Sequence, residues 1–474
     1  MVSDVVDRVV TTFDQKRKAF LKNLRPQQIS FRKLCSEWPW AKRSDAYTHQ
    51  IHRYPAKILP YIPITILSNP FLASEEDLVM DPFAGTGTVL LESMIHPYFK
   101  RNSVGIEINP LARLIAKVKT TPLKIEHLEE AAGKLLTEIQ NYTGKINVPR
   151  FTNIDFWFSK KAQIELTKIR DCIEQAVDSP DSRDFFWVCF SSIVREVSLA
   201  DPGIPPPVLL KAERFKDNPK RMKKIEQIID KKRNPKPVLS FRKSISKNLK
   251  RLEKINRIPE IETKQVKATM IWDDARFPNW GELTEKGMLD KSNCKSIESK
   301  SIGIVITSPP YMSAQKYVRT TKFELLWLGI AEESDLYDID RRTIGSERVH
   351  KQEYKDLLCT GFSQIDAIVE DIYRKNPERA YIVAKYYVDM QMVMKHVYRM
   401  LRDDGRFILV IGDNKVCSRI VENHVFMPQI AEEIGFNLEM VLVDEIKSRG
   451  MITKRHKTGG LMLNEWVIVL RKGG

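Results

Sequence analysis

Cysteine is scarce in this chain, and its six cysteines are scattered. No Cys-x-x-Cys pair occurs, so neither a disulfide scaffold nor a cysteine-rich zinc site is expected, and this usage fits a reducing compartment. His49 and His52 are separated by two residues, but no second histidine pair completes a tetrahedral set of ligands. We therefore expect no bound metal.

Long apolar runs are also absent. No stretch of about eighteen apolar residues could span a bilayer, and the N-terminus carries no apolar signal segment. We therefore expect a cytoplasmic protein without a membrane partner. With 474 residues, the chain can hold one large α/β domain and a second module.

Acidic residues are too few to balance the basic ones. The chain has 77 Lys and Arg against 61 Asp and Glu, which gives a net charge of +16 and an isoelectric point of about 9.3. Between Lys211 and Arg257, 18 cations and 5 acids leave an excess of +13. Such a segment would contact nucleic-acid phosphates, although a solvated helical face or a basic linker would have the same composition. The candidate phosphate contacts are Lys220, Arg221, Lys223, Lys224, Lys231, Lys232 and Arg233.

A second group of cations lies close to the C-terminus. Residues 447–457 contain five basic residues and no acid, between strand candidates at 438–443 and 465–470. We expect Arg449, Lys454 and Arg455 to contact nucleic-acid phosphates as well. An exposed hairpin loop is the alternative for this segment.

One segment resembles the Gly-x-Gly-x-x-Gly fingerprint of dinucleotide-binding proteins, but the fingerprint is incomplete there. After an apolar strand beginning at Leu78, a turn contains Gly85 and Gly87, but Leu90 stands where the fingerprint requires a third glycine. Asp81 also precedes the turn, and its carboxylate would repel a pyrophosphate. A cationic ligand without phosphate fits better, such as S-adenosylmethionine (SAM), with its ammonium and sulfonium.

Two further strand ends carry acids that fit the same ligand. Glu107 follows the next apolar strand, twenty residues after Gly87, where a carboxylate can accept both ribose hydroxyls. A surface residue at a strand end is the alternative. A third strand candidate, at 268–272, is followed by Asp273 and Asp274. One of them could accept a hydrogen bond from the adenine amine, and we favour Asp274.

The strand at 302–307 ends abruptly in Ser308-Pro309-Pro310-Tyr311. Two prolines lack N–H groups and fix φ, so they form a stiff elbow instead of extending the strand. A hydroxyl, a carbonyl and an aromatic ring would then face one crevice, which suits a flat heterocycle that carries an NH₂ group. An ordinary loop is the alternative.

Taken together, these motifs resemble the SAM-dependent DNA methyltransferases that modify exocyclic amino groups. The matching segments are approximately residues 48–120 and 268–471. The resemblance implies catalytic roles for Ser308, Pro309, Pro310 and Tyr311, which we call the catalytic loop. It also implies a cofactor site that includes residues 52–57, an upstream cofactor segment that precedes Asp81 and the glycine turn. The cofactor residues predicted from the motifs and this resemblance are His52, Tyr54, Pro55, Lys57, Asp81, Pro82, Phe83, Ala84, Gly85, Thr86, Gly87, Glu107, Ile108, Asp274 and Thr307.

The resemblance also narrows the reaction. Methylation at cytosine carbon-5 would need a cysteine, normally after proline, and none of the six cysteines follows a proline. In the family, serine at the first position of the catalytic loop accompanies mostly cytosine N4 methylation, and aspartate or asparagine mostly adenine N6 methylation. Ser308 therefore favours cytosine N4, with adenine N6 as the alternative, by direct in-line transfer to a base extruded from double-stranded DNA.

The sequence is also compatible with other activities. A structured-RNA amino methyltransferase would share the fold, the loop and the charge, and a protein-glutamine methyltransferase would share the Pro-Pro-Tyr sequence. A catalytically silent DNA-binding protein is the alternative from a different class. The resemblance further implies a bacterial or archaeal restriction-modification setting, with the enzyme on the nucleoid and a cognate restriction or defence nuclease acting separately.

The expected fold is a Rossmann-like α/β fold of the class I SAM methyltransferase type, with a seven-stranded, mostly parallel sheet and a helical basic insert. We expect an N-terminal helical extension, a SAM-binding half, a target-recognition insert and a catalytic half, at residues 1–45, 46–121, 122–267 and 268–474. Strands are predicted from residue 78 and at 103–109, 268–272, 302–307, 405–411, 438–443 and 465–470. Amphipathic helices are predicted in the insert at 125–142, 160–177 and 183–199.

Overall fold

The computed structural model describes residues 2–35, 46–55, 57–272, 274–276, 300–312, 317–445 and 464–473. In this part of the chain, an eight-stranded sheet and a two-stranded hairpin are present. The strands are β1 (Gln27–Ile29), β2 (Leu78–Asp81), β3 (Ser103–Ile106), β4 (Ala268–Trp272), β5 (Ile302–Thr307), β6 (Leu401–Ile411), β7 (Asn414–Val416), β8 (Arg419–Val421), β9 (Phe436–Glu445) and β10 (Asn464–Lys472).

The strand order of the large sheet is β1-β9-β10-β6-β5-β2-β3-β4. Strand β10 runs antiparallel to both of its neighbours, β9 and β6, and the other neighbouring strands pair in parallel. This mixed, mostly parallel sheet fits the Rossmann-like architecture expected from the sequence. The carboxyl ends of β2 to β5 meet at one edge, so their following loops lie close together.

The predicted count of seven strands is wrong, because the sheet has eight. All seven predicted strands are present, as β2 to β6, β9 and β10. The additional strand is β1, which pairs in parallel with β9 inside the segment that we expected to be helical. Gln27, Gln28 and Ile29 are too few, and too polar, to show a strand pattern in the sequence.

Helices surround the sheet and fill the insert. Before the catalytic loop they are α1 (Val2–Asn23), α2 (Phe31–Cys35), α3 (Tyr61–Leu67), α4 (Thr88–Met94), α5 (Pro110–Thr120), α6 (Ile125–Gln140), α7 (Ile154–Trp157), α8 (Lys160–Ala176), α9 (Pro180–Val197), α10 (Pro219–Arg233), α11 (Pro237–Asn256) and α12 (Pro259–Glu262). After it they are α13 (Tyr317–Thr320), α14 (Lys322–Trp327), α15 (Asp335–Arg342), α16 (Ser363–Tyr373), α17 (Pro377–Met400) and α18 (Asn423–Ile434). None of the described helices is both long enough and apolar enough to cross a bilayer.

The three amphipathic helices predicted in the insert are confirmed, as α6, α8 and α9. Local sequence fixes where several helices begin. Ser179 and Asn218 cap α9 and α10, and in both helices proline occupies the first position, where no N–H is needed. The start of α9 at Pro180, three residues earlier than predicted, follows from this cap.

The insert packs on the catalytic half through a shared apolar core. Phe185, Phe190 and Phe241 from α9 and α11 lie in one buried cluster with Phe323 and Trp327 from α14. Helix α14 follows the catalytic loop closely in sequence. The basic insert is therefore held beside the catalytic edge of the sheet.

Candidate active site

One cleft of about 640 Å³ opens at the edge where β2, β3, β4 and β5 end. Its walls contain Gly85 from the glycine turn, Glu107 from the end of β3 and Asp274 from beyond β4. Ser308 and Pro310 of the catalytic loop line the same cleft. The structure thus brings together the two motifs, which are more than two hundred residues apart in sequence.

A buried hydrogen bond joins the two motifs behind the cleft. Thr307 Oγ1 donates to Asp81 Oδ1 at 2.5 Å, and the Phe83 N–H donates to the same oxygen at 3.0 Å. Asp81 is only 2% exposed and is not part of the cleft wall, although Pro82 and Phe83 are. Burial raises the pKa of Asp81 to about 7, against the opposing effect of the Thr307 hydrogen bond. Asp81 therefore sets the distance between the glycine turn and the catalytic strand.

This pKa predicts an unusual pH dependence of stability. Between the usual value of 3.8 and about 7, the folded protein holds a proton on Asp81 that the unfolded chain has lost, so the free energy of unfolding falls as pH rises through this range. Asp81→Asn keeps an acceptor oxygen but cannot ionise. In denaturant titrations of the cofactor-free protein between pH 4 and pH 8, the free energy of unfolding should therefore fall less for the variant than for wild type. The difference should be about 1.4 kcal/mol for each unit by which folding raises the pKa of Asp81.

The exposed Asp217 provides a control, because Asp217→Asn should leave the pH profile unchanged. Glu324, whose pKa burial also raises to about 7, contributes equally to both proteins and cancels in the comparison. Parallel profiles for wild type and Asp81→Asn would show that folding does not raise the pKa of Asp81.

The glycine turn needs its backbone conformation and its lack of side chains. Gly85 and Gly87 have φ of 52° and 72°, in the left-handed region. A Cβ on Gly87 would lie 3.1 Å from the Ala116 Cβ and 3.3 Å from its Cα on α5. The predicted loop residues Ala84 and Thr86 are buried around this turn. The turn is therefore compact and leaves the cleft open on its other side.

Glu107 closes the turn from the neighbouring strand. Its Oε2 accepts the Gly85 N–H at 2.8 Å, and its Oε1 accepts the Asn109 N–H at 2.8 Å. Burial raises the pKa of Glu107, and these two hydrogen bonds oppose that effect. Each carboxylate oxygen has a further lone pair, so the side chain can still accept two hydroxyl groups from a ligand. Ile108 lies next to it in the cleft wall.

Asp274 lies in the cleft wall but is held by an arginine. Its two oxygens accept from Arg276 Nε at 3.0 Å and Nη2 at 2.8 Å, and Arg276 also donates to Asp389 at 3.1 Å. An adenine amine would therefore use the remaining lone pairs of Asp274. The neighbouring Asp273 lies outside the described residues.

Only part of the upstream cofactor segment reaches the cleft. Tyr54 lines it, and burial, followed by the nearby Glu107, raises the pKa of Tyr54 well above its usual value. Lys57 Nζ folds back to the carbonyl oxygens of His49 and His52, at 3.3 and 3.0 Å. His52 is buried, and burial lowers its pKa to about 3. Lys57 and His52 therefore support the segment from behind, while Pro55 is half-buried beside Tyr54.

The catalytic loop is braced by the neighbouring strands. The Tyr311 hydroxyl donates to Glu465 Oε1 at 3.3 Å, at the start of β10. The Met312 carbonyl accepts from Asn414 Nδ2 at 3.0 Å, at the start of β7. Tyr311 is half-buried and does not line the cleft together with Ser308 and Pro310. The bracing fixes the direction of the Tyr311 ring.

Sequence reasoning missed several residues of the cleft wall. Asn109, Tyr317, Arg342, Thr343 and Ile344 all line it. Asn109 could have been found, because Asn-Pro at a strand-to-helix junction is typical of a cap followed by a first-turn proline, and Asn109 does cap α5. The others have no local signal, since they reach the cleft from distant segments.

The predicted cationic surface is largely exposed on α10. Lys220, Arg221, Lys223, Lys224, Lys231 and Arg233 are exposed. Lys232 differs, because its Nζ donates to the carbonyl oxygens of Glu196 at 2.9 Å and Ser198 at 2.6 Å. It therefore fastens α10 to the end of α9. The second predicted group, Arg449, Lys454 and Arg455, lies outside the described residues.

No group of three or more histidine, cysteine or acidic side chains in the described part of the chain could hold a metal ion. The cleft contains carboxylates, hydroxyls and aromatic rings, without a nucleophilic cysteine in its wall. These groups can bind and orient a polar, partly cationic ligand. They can also accept hydrogen bonds from an amine at Ser308.

The sequence of the chain is similar to known proteins over most of its length. The chain is 25% identical over 453 residues to the Type II methyltransferase M.MvaI of Kocuria varians, covering 90% of this chain and 91% of that protein. The chain is thus similar to a Type II methyltransferase along most of its length. It is also 22% identical to M.BsoBI of Geobacillus stearothermophilus over 427 residues, which are 78% of this chain and 75% of the relative. No family model matches the chain.

A shorter match, to M.MjaII of Methanocaldococcus jannaschii, is 30% identical over 110 residues, 23% of this chain and 20% of the relative. The predicted resemblance to the amino DNA methyltransferases is confirmed by these relatives. The predicted cofactor, SAM, is likewise confirmed, because Type II DNA methyltransferases use it as methyl donor.

Proposed function

We propose that this protein is a site-specific DNA methyltransferase that moves a methyl group from SAM to an exocyclic amine of an extruded base, with cytosine N4 favoured. The observation that carries the proposal is the shared cleft, in which Gly85 and Glu107 lie with Ser308. Similarity to Type II methyltransferases over 90% of the chain supports a DNA substrate. The Rossmann-like sheet would then be of the class I SAM methyltransferase type.

The cleft offers a distinct place for each part of SAM. Glu107 would accept the ribose hydroxyls, since it lines the cleft and each of its oxygens accepts a single backbone N–H, from Gly85 and from Asn109. Ile108 and Asp274 would contact the adenine, and the glycine turn would hold the methionine moiety. The sulfonium methyl group would then lie toward Ser308 and Pro310, the lining residues of the catalytic loop.

The catalytic loop can activate a base amine by hydrogen bonding. The lone pair of such an amine is delocalised into the ring, which makes the nitrogen a poor nucleophile. Hydrogen bonds from the NH₂ group to the Ser308 hydroxyl and the Pro309 carbonyl would localise the lone pair on nitrogen. The nitrogen then forms a bond to the methyl carbon as the carbon–sulfur bond breaks, and the product amine releases one proton.

The position of the loop supports base extrusion as part of the proposal. Ser308 lies inside a cleft at the sheet edge, where a base stacked in a duplex could not reach it. Tyr311, fixed through Glu465, would stack on the extruded ring. The neutral hydroxyl of Ser308 favours cytosine N4, and adenine N6 is the closest other substrate.

Helix α10 would supply phosphate contacts to the duplex. Its exposed cations lie on a helix that is fastened to α9 beside the catalytic half. Each phosphate contact adds about 0.9 to the slope of log affinity against log salt concentration. We therefore expect the double variant Lys223→Ala and Lys224→Ala to bind duplex DNA more weakly and to reduce the slope by about 1 to 2.

The matched control changes Lys375 and Lys395 to alanine, which removes the same charge from exposed positions near α16 and on α17. Fluorescence anisotropy at several salt concentrations measures both slopes. An unchanged slope in the α10 variant, or equal changes in both variants, would remove α10 from the DNA interface.

Methyl transfer can be tested directly. Protein incubated with tritiated SAM should transfer label to duplex DNA, and digestion to nucleosides should place it in N4-methylcytosine. Label in N6-methyladenine would change the base assignment alone. Label only in structured RNA or in protein would overturn the proposal.

Long-read sequencing of DNA from an expressing host would give the methylated sequence. We also propose that a separate restriction or defence nuclease recognises that sequence. Host DNA methylated by this protein should then resist such a nuclease, whereas unmethylated DNA should be cut.

A further inference from the structure

A second cleft lies beside the first, and the two share part of their walls. It has a volume of about 990 Å³, open to solvent, between the C-terminal end of α15, the segment 343–349 and one side of α17. Arg342 and Thr343 line both clefts. We call it the α15–α17 cleft.

The wall of the α15–α17 cleft touches the catalytic loop. Gly345 has φ of +75°, and a Cβ there would lie 3.1 Å from the Tyr311 carbonyl oxygen and 3.2 Å from Met312 Cα. A side chain would not fit between this segment and the loop. The backbone at Gly345 therefore lies between the cleft on one side and the backbone of the catalytic loop on the other.

Cations outnumber acids in the walls of this cleft. Five basic side chains face three acidic ones: Arg276, Arg341, Arg342, Arg348 and Lys385, against Asp338, Glu353 and Asp389. The inner cations are engaged, since Arg276 and Lys385 both contact the buried Asp389, at 3.1 and 2.8 Å.

The outer arginines are more accessible. Arg341 pairs with Glu353 at 3.1 Å, and Arg348 pairs with Asp340 at 3.0 Å, while the two arginine side chains are 41% and 52% exposed. A guanidinium has five N–H donors, and these ion pairs are made through Nη2 of Arg341 and Nε of Arg348. Both arginines can therefore bind a second anion.

Tyr386 gives independent evidence for a ligand. It lines the cleft from α17 and is fully buried, yet its hydroxyl has no hydrogen-bond partner among the described residues. Buried hydroxyls in folded proteins are normally satisfied, and those that are not often await a ligand or water. The hydroxyl can donate one hydrogen bond to an acceptor in the cleft.

We propose that the α15–α17 cleft binds a phosphodiester group of the methylated strand, adjacent to the extruded nucleotide. This proposal rests on the proposed function and identifies where the flanking backbone lies. A phosphate has acceptor oxygens only, which suits the guanidinium groups of Arg341 and Arg348 and the hydroxyl of Tyr386. The contact between Gly345 and the catalytic loop places this phosphate next to the base.

The experiment uses a series of unmethylated duplexes that contain the sequence recognised by the protein. Each duplex has one uncharged methylphosphonate, placed at a different position around the target base. With wild type, one position near the target should weaken binding about tenfold, as expected for the loss of a charge-assisted hydrogen bond. Arg348→Ala should weaken binding of the unmodified duplex, and the methylphosphonate at that position should then have a smaller effect than it has with wild type, because only the contacts from Arg341 and Tyr386 remain to be lost. Lys351→Ala, an exposed cation outside the cleft, is the control and should bind as wild type does.

The variant Tyr386→Phe distinguishes a loss of DNA affinity from a loss of protein stability. Because the hydroxyl has no partner among the residues that the structure describes, its removal should leave the melting temperature unchanged or raise it, while binding weakens several-fold. The loss should likewise be smaller on the same methylphosphonate duplex.

Three outcomes would overturn the proposal. In the first, wild type methylates DNA, but the losses of DNA affinity caused by Arg348→Ala and by the methylphosphonate are additive at every position of the methylphosphonate. The cleft then does not hold a strand phosphate, and the proposed function stands. If a nucleoside monophosphate binds wild type but not Arg348→Ala, and DNA binding is equal in both, the cleft is a site for a free small anion. If wild type does not methylate DNA at all, both the proposed function and this inference fail.

Discussion

Replacement of Ser308 by alanine should reduce the rate of methyl transfer by about 10²- to 10³-fold while SAM affinity changes little. The magnitude is that expected when one preorganised hydrogen-bonding group is removed from a reacting centre. The hydroxyl would contact the base amine, whereas the cofactor would be held mainly by Glu107 and the glycine turn. Single-turnover kinetics measures the transfer step, and calorimetry measures SAM binding.

Ser246→Ala is the matched control, because Ser246 is exposed on α11, away from the cleft. It should transfer methyl groups at the wild-type rate. Equal losses of transfer and of SAM affinity in Ser308→Ala would contradict the division of roles between the two motifs. An unchanged rate would remove Ser308 from the reaction.

Glu107→Gln should weaken SAM binding by at least about 10²-fold. The carboxylate accepts two backbone N–H groups, and an amide nitrogen in place of one oxygen would meet one of these donors without accepting from it. The amide also has one acceptor oxygen where the carboxylate has two, so it can accept a hydrogen bond from fewer of the ribose hydroxyls. Hydrogen bonds to charged groups are worth about 1.5–3 kcal/mol each, so the loss of one contact and the disturbance of another account for this factor.

The control for this variant is Glu76→Gln, because Glu76 is exposed in the loop before β2. Calorimetry with SAM should give wild-type affinity for the control. The rate of methyl transfer at saturating SAM should recover in Glu107→Gln, since Glu107 would bind the ribose and not the reacting methyl. A lower rate at saturation, with unchanged affinity, would assign Glu107 to the chemical step.

Much of the fold was predictable because its strands are buried and apolar. Strand β5 shows a continuous apolar run, and Ser-Pro-Pro-Tyr marks its end. The glycine turn and Glu107 carry local signals of the same kind. These signals sufficed to predict that each motif follows a strand of the sheet, and residues of both motifs line one cleft.

The remainder depends on contacts between distant segments. Strand β1 could not be predicted, because it is stabilised by pairing with β9 more than four hundred residues away. Thr343 and Ile344 reach the cofactor cleft only because the segment after α15 packs against the catalytic loop at Gly345. Lys232 resembles its exposed neighbours in sequence, yet two backbone carbonyls at the end of α9 bind its ammonium. Sequence composition cannot distinguish such a buried contact from a DNA contact.

A crystal structure with an unreactive SAM analogue would test the central claim most directly. The account predicts that the ribose hydroxyls bind Glu107 and that the group replacing the methyl faces Ser308. The space between them should hold a base amine whose nitrogen lies roughly 3–3.5 Å from that group, as a near-attack geometry requires. An analogue bound elsewhere, or bound in the cleft with that group directed away from residues 308–311, would contradict it.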